Sequence, residues 1–314
     1  MKRFFTVILT GILGISACFG LSACSLRVNT LADKDKYTAG NAEITDKVEA
    51  IDIEWASGDV VFVQGSGNTV IIEETYQGSL PEDKQMHWCM DGTTLRVRFD
   101  ISLSILSLGS LTGKKLTVTL PADLVLNNAD IDVASADVEA GALRCRNFDF
   151  DAASGNVNVT FPDSIDSAEF DTASGDVTVA FGGDVGKLDT DAASGKLTAN
   201  IAGSLGSFDC DSASGEVIIN ASGKVGSGKV STSSGKVSIS CEGLDGLDVS
   251  TASGSVTLRL PENIDMTLDI DTASGDFESE IPFSIKSDGK YVIGSGTANV
   301  NIDTASGDII INKI

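Results

Sequence analysis

Apolar and polar residues alternate around one recurrent phrase, Asp-x-Ala-Ser-Gly. It reads Asp-Ala-Ala-Ser-Gly at 151–155 and 191–195, and Asp-Thr-Ala-Ser-Gly at 171–175, 271–275 and 303–307. Relatives stand at 54–58, 211–215, 231–235 and 250–254, with a degenerate copy at 132–136. Five residues before the phrase's last position stand Ile53, Ile131, Phe150, Phe170, Val230, Val249, Ile270 and Ile302. Seven before it stand Ile51, Phe148, Leu188, Phe208, Leu247, Leu268 and Val300, and the residues between are polar. The pattern resumes two and four residues after the glycine, as at Val157 and Val159 or Val237 and Ile239. A period of two marks a strand with one buried face. A further apolar site lies ten before the glycine (Cys145, Ile165, Val185, Leu205, Val225, Leu244). Each repeat is therefore expected to be two strands joined at the Ser-Gly corner, plus a short third side. The glycine suits a corner whose backbone conformation a Cβ would penalise.

Gly155, Gly175, Gly195, Gly215 and Gly235 follow one another at 20 residues, and Gly254, Gly275 and Gly307 at steps of 19, 21 and 32. A fixed period of about 20 residues signals stacked repeats, because one unit cannot bury its own apolar face. The predicted fold is all-β, a single-chain β-solenoid of β-helix type, with an irregular β cap at its N-terminal end. Its domain spans 45–314, with the cap at 65–130 and regular coils over 131–314, interrupted by an insertion at 281–296. In the cap, strands are expected near 69–76, 94–99 and 115–120. The insertion is expected to form the second cap or a projecting loop before a final coil at 297–314.

The outward positions repeat as faithfully as the inward ones. Six before the glycine stand Asp52, Asp130, Asp149, Glu169, Asp189, Asp209, Asp248 and Asp269. Four before it stand Glu54, Asp132, Asp151, Asp171, Asp191, Asp211, Asp271 and Asp303. Stacking at about 4.8 Å per coil turns these into two parallel carboxylate ladders. Lys229, Ser231 and Ser250 interrupt them. Like charges this close repel by about 1 kcal/mol in water. A solvated face that discourages sheet-to-sheet pairing explains them most simply. The alternative is weak divalent-cation binding by Asp149, Asp151, Asp171, Asp189, Asp191, Asp209, Asp211, Asp269 and Asp271, since carboxylate oxygens suit Ca²⁺. No EF-hand or Gly-Gly-x-Gly-x-Asp spacing marks a dedicated metal site, and no other cofactor is expected.

Composition sharpens this picture. The 314 residues carry 45 acidic and 22 basic side chains, a formal net charge of −23. Such a chain is repelled by nucleic acid and by anionic lipid head groups. Of six cysteines, Cys145, Cys210 and Cys241 occupy inward positions and read as small buried hydrophobes, with a disulfide between two of them left open. Met1-Lys2-Arg3 and the apolar run 4–20 form a secretory signal. It ends Leu21-Ser22-Ala23-Cys24, which resembles a bacterial lipobox. The expectation is a signal peptide over 1–23, a diacylglycerol thioether and palmitate-type acylation on Cys24, and a polar tether over 24–44. The protein is then lipid-anchored at the cell membrane on its extracytoplasmic face, cell surface or periplasmic side according to the envelope.

Enzyme chemistry finds little support. His87 is the one histidine, so a hydrolase triad or a zinc set lacks its parts. Its sharing a strand face with Cys89 hints at thiol chemistry; a partly exposed structural histidine is the simpler reading. The motif serines recur in every coil, as corner hydrogen bonds require and a single nucleophile does not. A glycosidase needs two close carboxylates in a cleft, whereas these acids run evenly along the rod. Threonines at 172, 190, 232, 251, 272 and 304 suggest an ice-binding face, but alternation turns most of them inward.

The Ala-Ser-Gly-Asp-Val type phrases (173–177, 273–277, 305–309), the strand Leu116-Thr117-Val118-Thr119-Leu120-Pro121 and the closing 294–310 segment carry a resemblance. They resemble the bacterial putative-adhesin family of β-strand-repeat proteins, a domain of unknown function, over about 45–314. That resemblance implies an envelope-associated β-solenoid and offers no catalytic residue. The expected role is a non-catalytic surface-interaction or envelope-structural module, partnered by the membrane through its anchor and by envelope or surface macromolecules. The alternatives are an envelope-stress accessory or sensor and, more distantly, a polysaccharide-active β-helix enzyme.

Overall fold

The computed structural model describes residues 34–100, 113–285 and 290–314. The signal segment, Cys24 and the first part of the tether lie outside them. Among the described residues the regular structure is β-strand with two 3₁₀ turns, Lys34–Lys36 and Glu82–Lys84.

The coil at 165–181 shows how the pattern folds. Ile165–Ser174 and Val177–Phe181 are its strands, and each pairs in parallel, in register, with its counterparts 20 residues earlier and later. Phe170 faces Phe150 and Thr190, and Val177 faces Val157 and Leu197. Ile165, Ala168, Phe170 and Thr172 are all buried, so the alternation shifts phase between 165 and 168. The chain bends there and again at the Ser-Gly corner, giving the coil its short third side. The apolar site ten before the glycine is buried throughout: Cys145, Ile165, Val185, Leu205, Val225 and Leu244 are at most 5% exposed. One continuous apolar core fills the stack. Phe148, Phe150, Phe161, Phe170 and Phe181 pack within it, ring to ring at 5.2–6.4 Å.

Each motif glycine is required chiefly by the neighbouring coil. A Cβ on Gly175 would lie 1.9 Å from the Gly155 carbonyl oxygen; on Gly195, 2.0 Å from that of Gly175; on Gly254, 1.7 Å from that of Gly235. Positive φ adds a second reason only at Gly58, Gly155, Gly175 and Gly195 (98–135°). At Gly215, Gly235 and Gly254 the glycine N–H donates instead to a hydroxyl three residues back, on Ser212, Thr232 or Thr251, at 2.8–2.9 Å. The motif serines add rungs between coils: Ser174 Oγ donates to the Ala153 carbonyl and Ser194 Oγ to that of Ala173, both at 3.4 Å.

Coil order in space departs from coil order in sequence at both ends. Ala298–Thr304 and Ile309–Lys313 slot between the coil at 243–260 and the coil at 266–279. The expected final coil is therefore the penultimate one in the stack, and 266–279 lies outermost. The insertion supplies Lys290–Ile293, which pairs antiparallel with the start of that outer coil. At the other end, Thr94–Arg98 and Lys115–Pro121 form a coil beyond Ala50–Gly65, which is thereby sandwiched against Leu126–Ala140. Antiparallel strands His87–Asp91 and Val70–Thr75 close this end. Two expectations need correcting here. Residues 38–44, placed in the tether, include strands Thr38–Ala39 and Ala42–Ile44, which pair with the cap. Residues 126–130, placed in the cap, begin a regular coil. Among the described residues, eleven stacked coils make a rod of about 50 Å at the usual rise.

Two mutational outcomes test this architecture. Phe170 is fully buried, and truncating such a ring costs about 3–5 kcal/mol. Phe170→Asp, which also buries a charge, is expected to abolish the cooperative thermal transition; an unchanged melting curve would refute the register. Gly175→Ala should destabilise by more than the ordinary 0.5–3 kcal/mol of a point change. Gly67→Ala, with nothing within 4 Å of the added methyl, should leave the melting temperature nearly unchanged.

Candidate functional site: the carboxylate face

Strand alternation fixes this face. Side chains between the buried positions point outward, and parallel in-register stacking repeats them coil after coil. Asp149 stands beside Asp130 and Glu169, Asp189 beside Glu169 and Asp209. In the second row Asp151 stands beside Asp132 and Asp171, and Asp191 beside Asp171 and Asp211. All are exposed or half-buried. The interleaved coil brings Asn301 between Asp248 and Asp269, and Asp303 between Ser250 and Asp271. The stack thus joins all nine acids named as a candidate set into two rows.

Basic residues close both rows at the N-terminal end and one of them at the other. Where other coils carry acids, the outer N-terminal coil carries Arg96 and Arg98, in register with Asp52 and Glu54. Arg98 is buried and grips Asp52 with two bonds, Nη1 to Oδ1 at 2.7 Å and Nη2 to Oδ2 at 3.0 Å, with Glu54 3.3 Å away. At the opposite end Lys290 pairs with Asp269 at 2.8 Å. Lys229, standing in the row itself, bonds Asp209 at 2.8 Å and lies 3.6 Å from Asp211. Lys187 pairs with Asp189.

Between these anchors Asp132, Asp149, Asp171, Asp191 and Asp303 are held above the ordinary carboxylate range. Partial burial, reinforced by Asp130, Asp151 and Glu54, pushes the Asp132 carboxyl up to about 7. Asp149 rises to about 6 through burial and its neighbours Asp130, Asp151 and Glu169. Asp171 rises to about 7 through burial and then Asp191, Asp151 and Glu169. Burial followed by neighbouring acids also raises Asp191 and Asp303. These five carboxyls therefore hold a proton more readily than isolated carboxylates do. The face is a pair of rows rather than a cage: among the described residues, no three His, Cys, Asp or Glu side chains converge as a metal-binding set. A surface depression of about 230 Å³ lies elsewhere, lined by Val125, Arg144, Arg146, Asp163 and Asp166. Its acids are already paired, Asp163 with Arg144 and Asp166 with Arg146.

The remaining chemistry is structural. His87, expected to be partly exposed, is 3% exposed, and its Nδ1 lies 2.8 Å from the Gln85 carbonyl oxygen. Cys89, Cys145, Cys210 and Cys241 are free thiols, all buried, which closes the open question of a disulfide among them. Burial pushes Cys145 and Cys210 up to about 12, the opposite of an activated thiol. Sequence reasoning missed Lys114. Its side chain is fully buried, its Nζ donates to the Lys84 carbonyl at 3.0 Å and contacts Glu74 Oε1 at 2.5 Å, and it lies 3.9 Å from the Phe99 ring centre and 5.0 Å from that of Trp55. It locks the N-terminal cap. Its register neighbour Gly58 was the only cue, since a Cβ there would strike the Lys114 carbonyl at 1.9 Å.

Fold and face define a β-solenoid with an acidic flank, capped at one end by antiparallel strands. The family model of Toastrack DUF4097 matches residues 48–312, and the chain belongs to that family. No curated protein matches it. Among solved structures, a protein described as a putative adhesin from Parabacteroides distasonis is similar at a TM-score of 0.52 and 12% identity, over 89% of this chain and 97% of that one. A putative lipid binding protein from the same organism is similar at 0.52 and 13%, over 88% and 97%. A putative adhesin from Parabacteroides merdae is similar at 0.50 and 13%, over 90% and 97%. At these identities the likeness is one of fold.

Stability should depend on pH in an unusual direction. A carboxyl raised in the folded state favours folding while protonated, and that contribution is lost as pH rises through its folded value. With Asp132 and Asp171 near 7 and Asp149 near 6, the melting temperature should fall between pH about 4 and pH about 8. Salt should reduce the fall by screening the rows. A melting temperature that rises across this window would contradict the electrostatics assigned here.

Proposed function

We propose that the protein is a lipid-anchored, extracytoplasmic, non-catalytic module that binds other envelope or surface molecules through its acidic flank. The observation that carries this reading is the pair of carboxylate rows, held together by in-register stacking and bounded by arginine and lysine. Evenly spaced acids form an extended surface for cationic groups, including divalent ions that bridge to other anionic surfaces. The rod supplies length and rigidity. Acylated Cys24 would hold its N-terminal end at the membrane. The descriptions of the structural neighbours as putative adhesins point the same way.

Two experiments test the reading. Ca²⁺ titrated into the full-length protein should give saturable heat and raise the melting temperature, by about 2.7 kcal/mol of stability at a hundredfold excess over the dissociation constant. Absence of both would remove cation bridging. Separately, Cys24→Ala should move the protein from the membrane fraction to the soluble one; retention in membranes would show that the anchor is not the acylated cysteine.

A further inference from the structure

The two ends of the rod are finished differently. At the N-terminal end the outermost coil is covered along both of its strands, Thr94–Arg98 by His87–Asp91 and Lys115–Pro121 by Val70–Thr75. Its inward residues Leu95, Val97, Leu116 and Val118 are completely buried. At the C-terminal end the outermost coil is covered only at Met266–Asp269, by Lys290–Ile293. Among the described residues, Ile270–Thr272 and Phe277–Ser279 pair on their inner side alone.

Backbone and side chains there agree. The Asp276 carbonyl accepts from the Ile309 N–H and the Glu280 N–H donates to the Ile311 carbonyl, both at 2.9 Å. By strand alternation the amides of Phe277 and Ser279 therefore face the free side. The positions Ile270, Thr272 and Phe277, buried in interior coils as Val249, Thr251 and Val256, are only half-buried here. Phe277 continues into an aromatic group with Phe283 and Tyr291, with ring centres 4.7–5.5 Å apart and Phe283 37% exposed. Exposed acids border the edge: Asp271, Asp276, Glu278 and Glu280. The nearby cations Lys290 and Lys313 are engaged with Asp269 and Glu262, each at 2.8 Å.

We propose that this open edge docks an extended segment of a partner protein in which basic and apolar side chains alternate, adding it as one more strand of the solenoid. The free amides and carbonyls provide the main-chain bonds. Apolar side chains would cover Ile270, Thr272 and the Phe277–Phe283–Tyr291 group, and the basic ones would face Asp271, Glu278 and Glu280. Charge selects the occupant. A second copy of this chain would bring the same acids against themselves, and among the described residues the N-terminal end presents only the short strands Thr38–Ala39 and Ala42–Ile44 for head-to-tail joining.

The edge meets the acidic flank only at Asp271, the end of the second row, so variants placed on either side of it tell their failures apart. The probe is a short synthetic peptide alternating lysine and valine, titrated into the full-length protein, with an alternating glutamate–valine peptide as control. Saturable binding is expected to slow amide exchange at 270–279, and the paired change Asp271→Lys with Glu278→Lys should weaken it at least tenfold. The same double variant should gain affinity for the glutamate–valine peptide, a readout that loss of folding cannot imitate. Replacing Asp149 and Asp171 by Asn should leave binding within threefold. No binding, or binding that survives the edge variant and is lost in the Asn variant, would overturn the docking site; the latter result would leave the flank as the cationic surface.

Discussion

The structure depends on how closely one coil approaches the next at a single corner. At each motif glycine the carbonyl of the neighbouring coil occupies the space where a Cβ would sit, within about 2 Å. No side chain tolerates that overlap, so glycine is required wherever the neighbouring carbonyl comes this close. Everything outward of the corner inherits this spacing: parallel ladders, aligned phenylalanines and aligned acids. At the degenerate copy Ala136 replaces glycine, its methyl is buried, and Leu126–Ala140 runs through the corner as one unbroken strand.

Stacking creates a problem at the ends, because the last coil presents a bare edge and an open core. The N-terminal end answers with antiparallel strands and a buried lysine held by Glu74, two carbonyls and two aromatic rings. Interleaving adds a second device. The most terminal coil-forming segment of the described chain at each end lies inside the stack, paired on both sides, so fraying from it must break two ladders rather than one. The C-terminal end has the interleaving but only part of the cover, and its half-exposed inward residues are the direct result.

Period and alternation made most of the fold legible. A Phe at the fifth position before a glycine, or an Asp at the fourth, reports its side of the strand directly, and the buried and exposed sets match that reading through the regular coils. Spatial order was not legible. Nothing in the spacing of Gly254, Gly275 and Gly307 says that the third stacks between the first two, because each coil presents the same apolar triplet and fits against any other. The cap was legible only as strands, since Lys114 departs from the rule that a charged residue next to a strand lies outside. The two corner types were also hidden: Thr172 stands three before Gly175, which adopts positive φ, whereas Thr232 in the same place caps Gly235, so the residue type alone does not announce the corner.

The acidic rows are not a by-product of the fold. The same outward positions accept Lys229, Ser231, Ser250 and Asn301 with the ladder intact on either side. Backbone geometry therefore places no demand for a carboxylate there. Acids cost stability in these rows, as the raised proton affinities of Asp132, Asp149 and Asp171 record. Solubility alone would be met by mixed charge, which avoids that repulsion. The carboxylates at these positions are therefore set by the sequence and not by any need of the ladder. Among the described residues, the antiparallel cover at this end stops at Met266–Asp269 and does not reach the strand that carries Phe277.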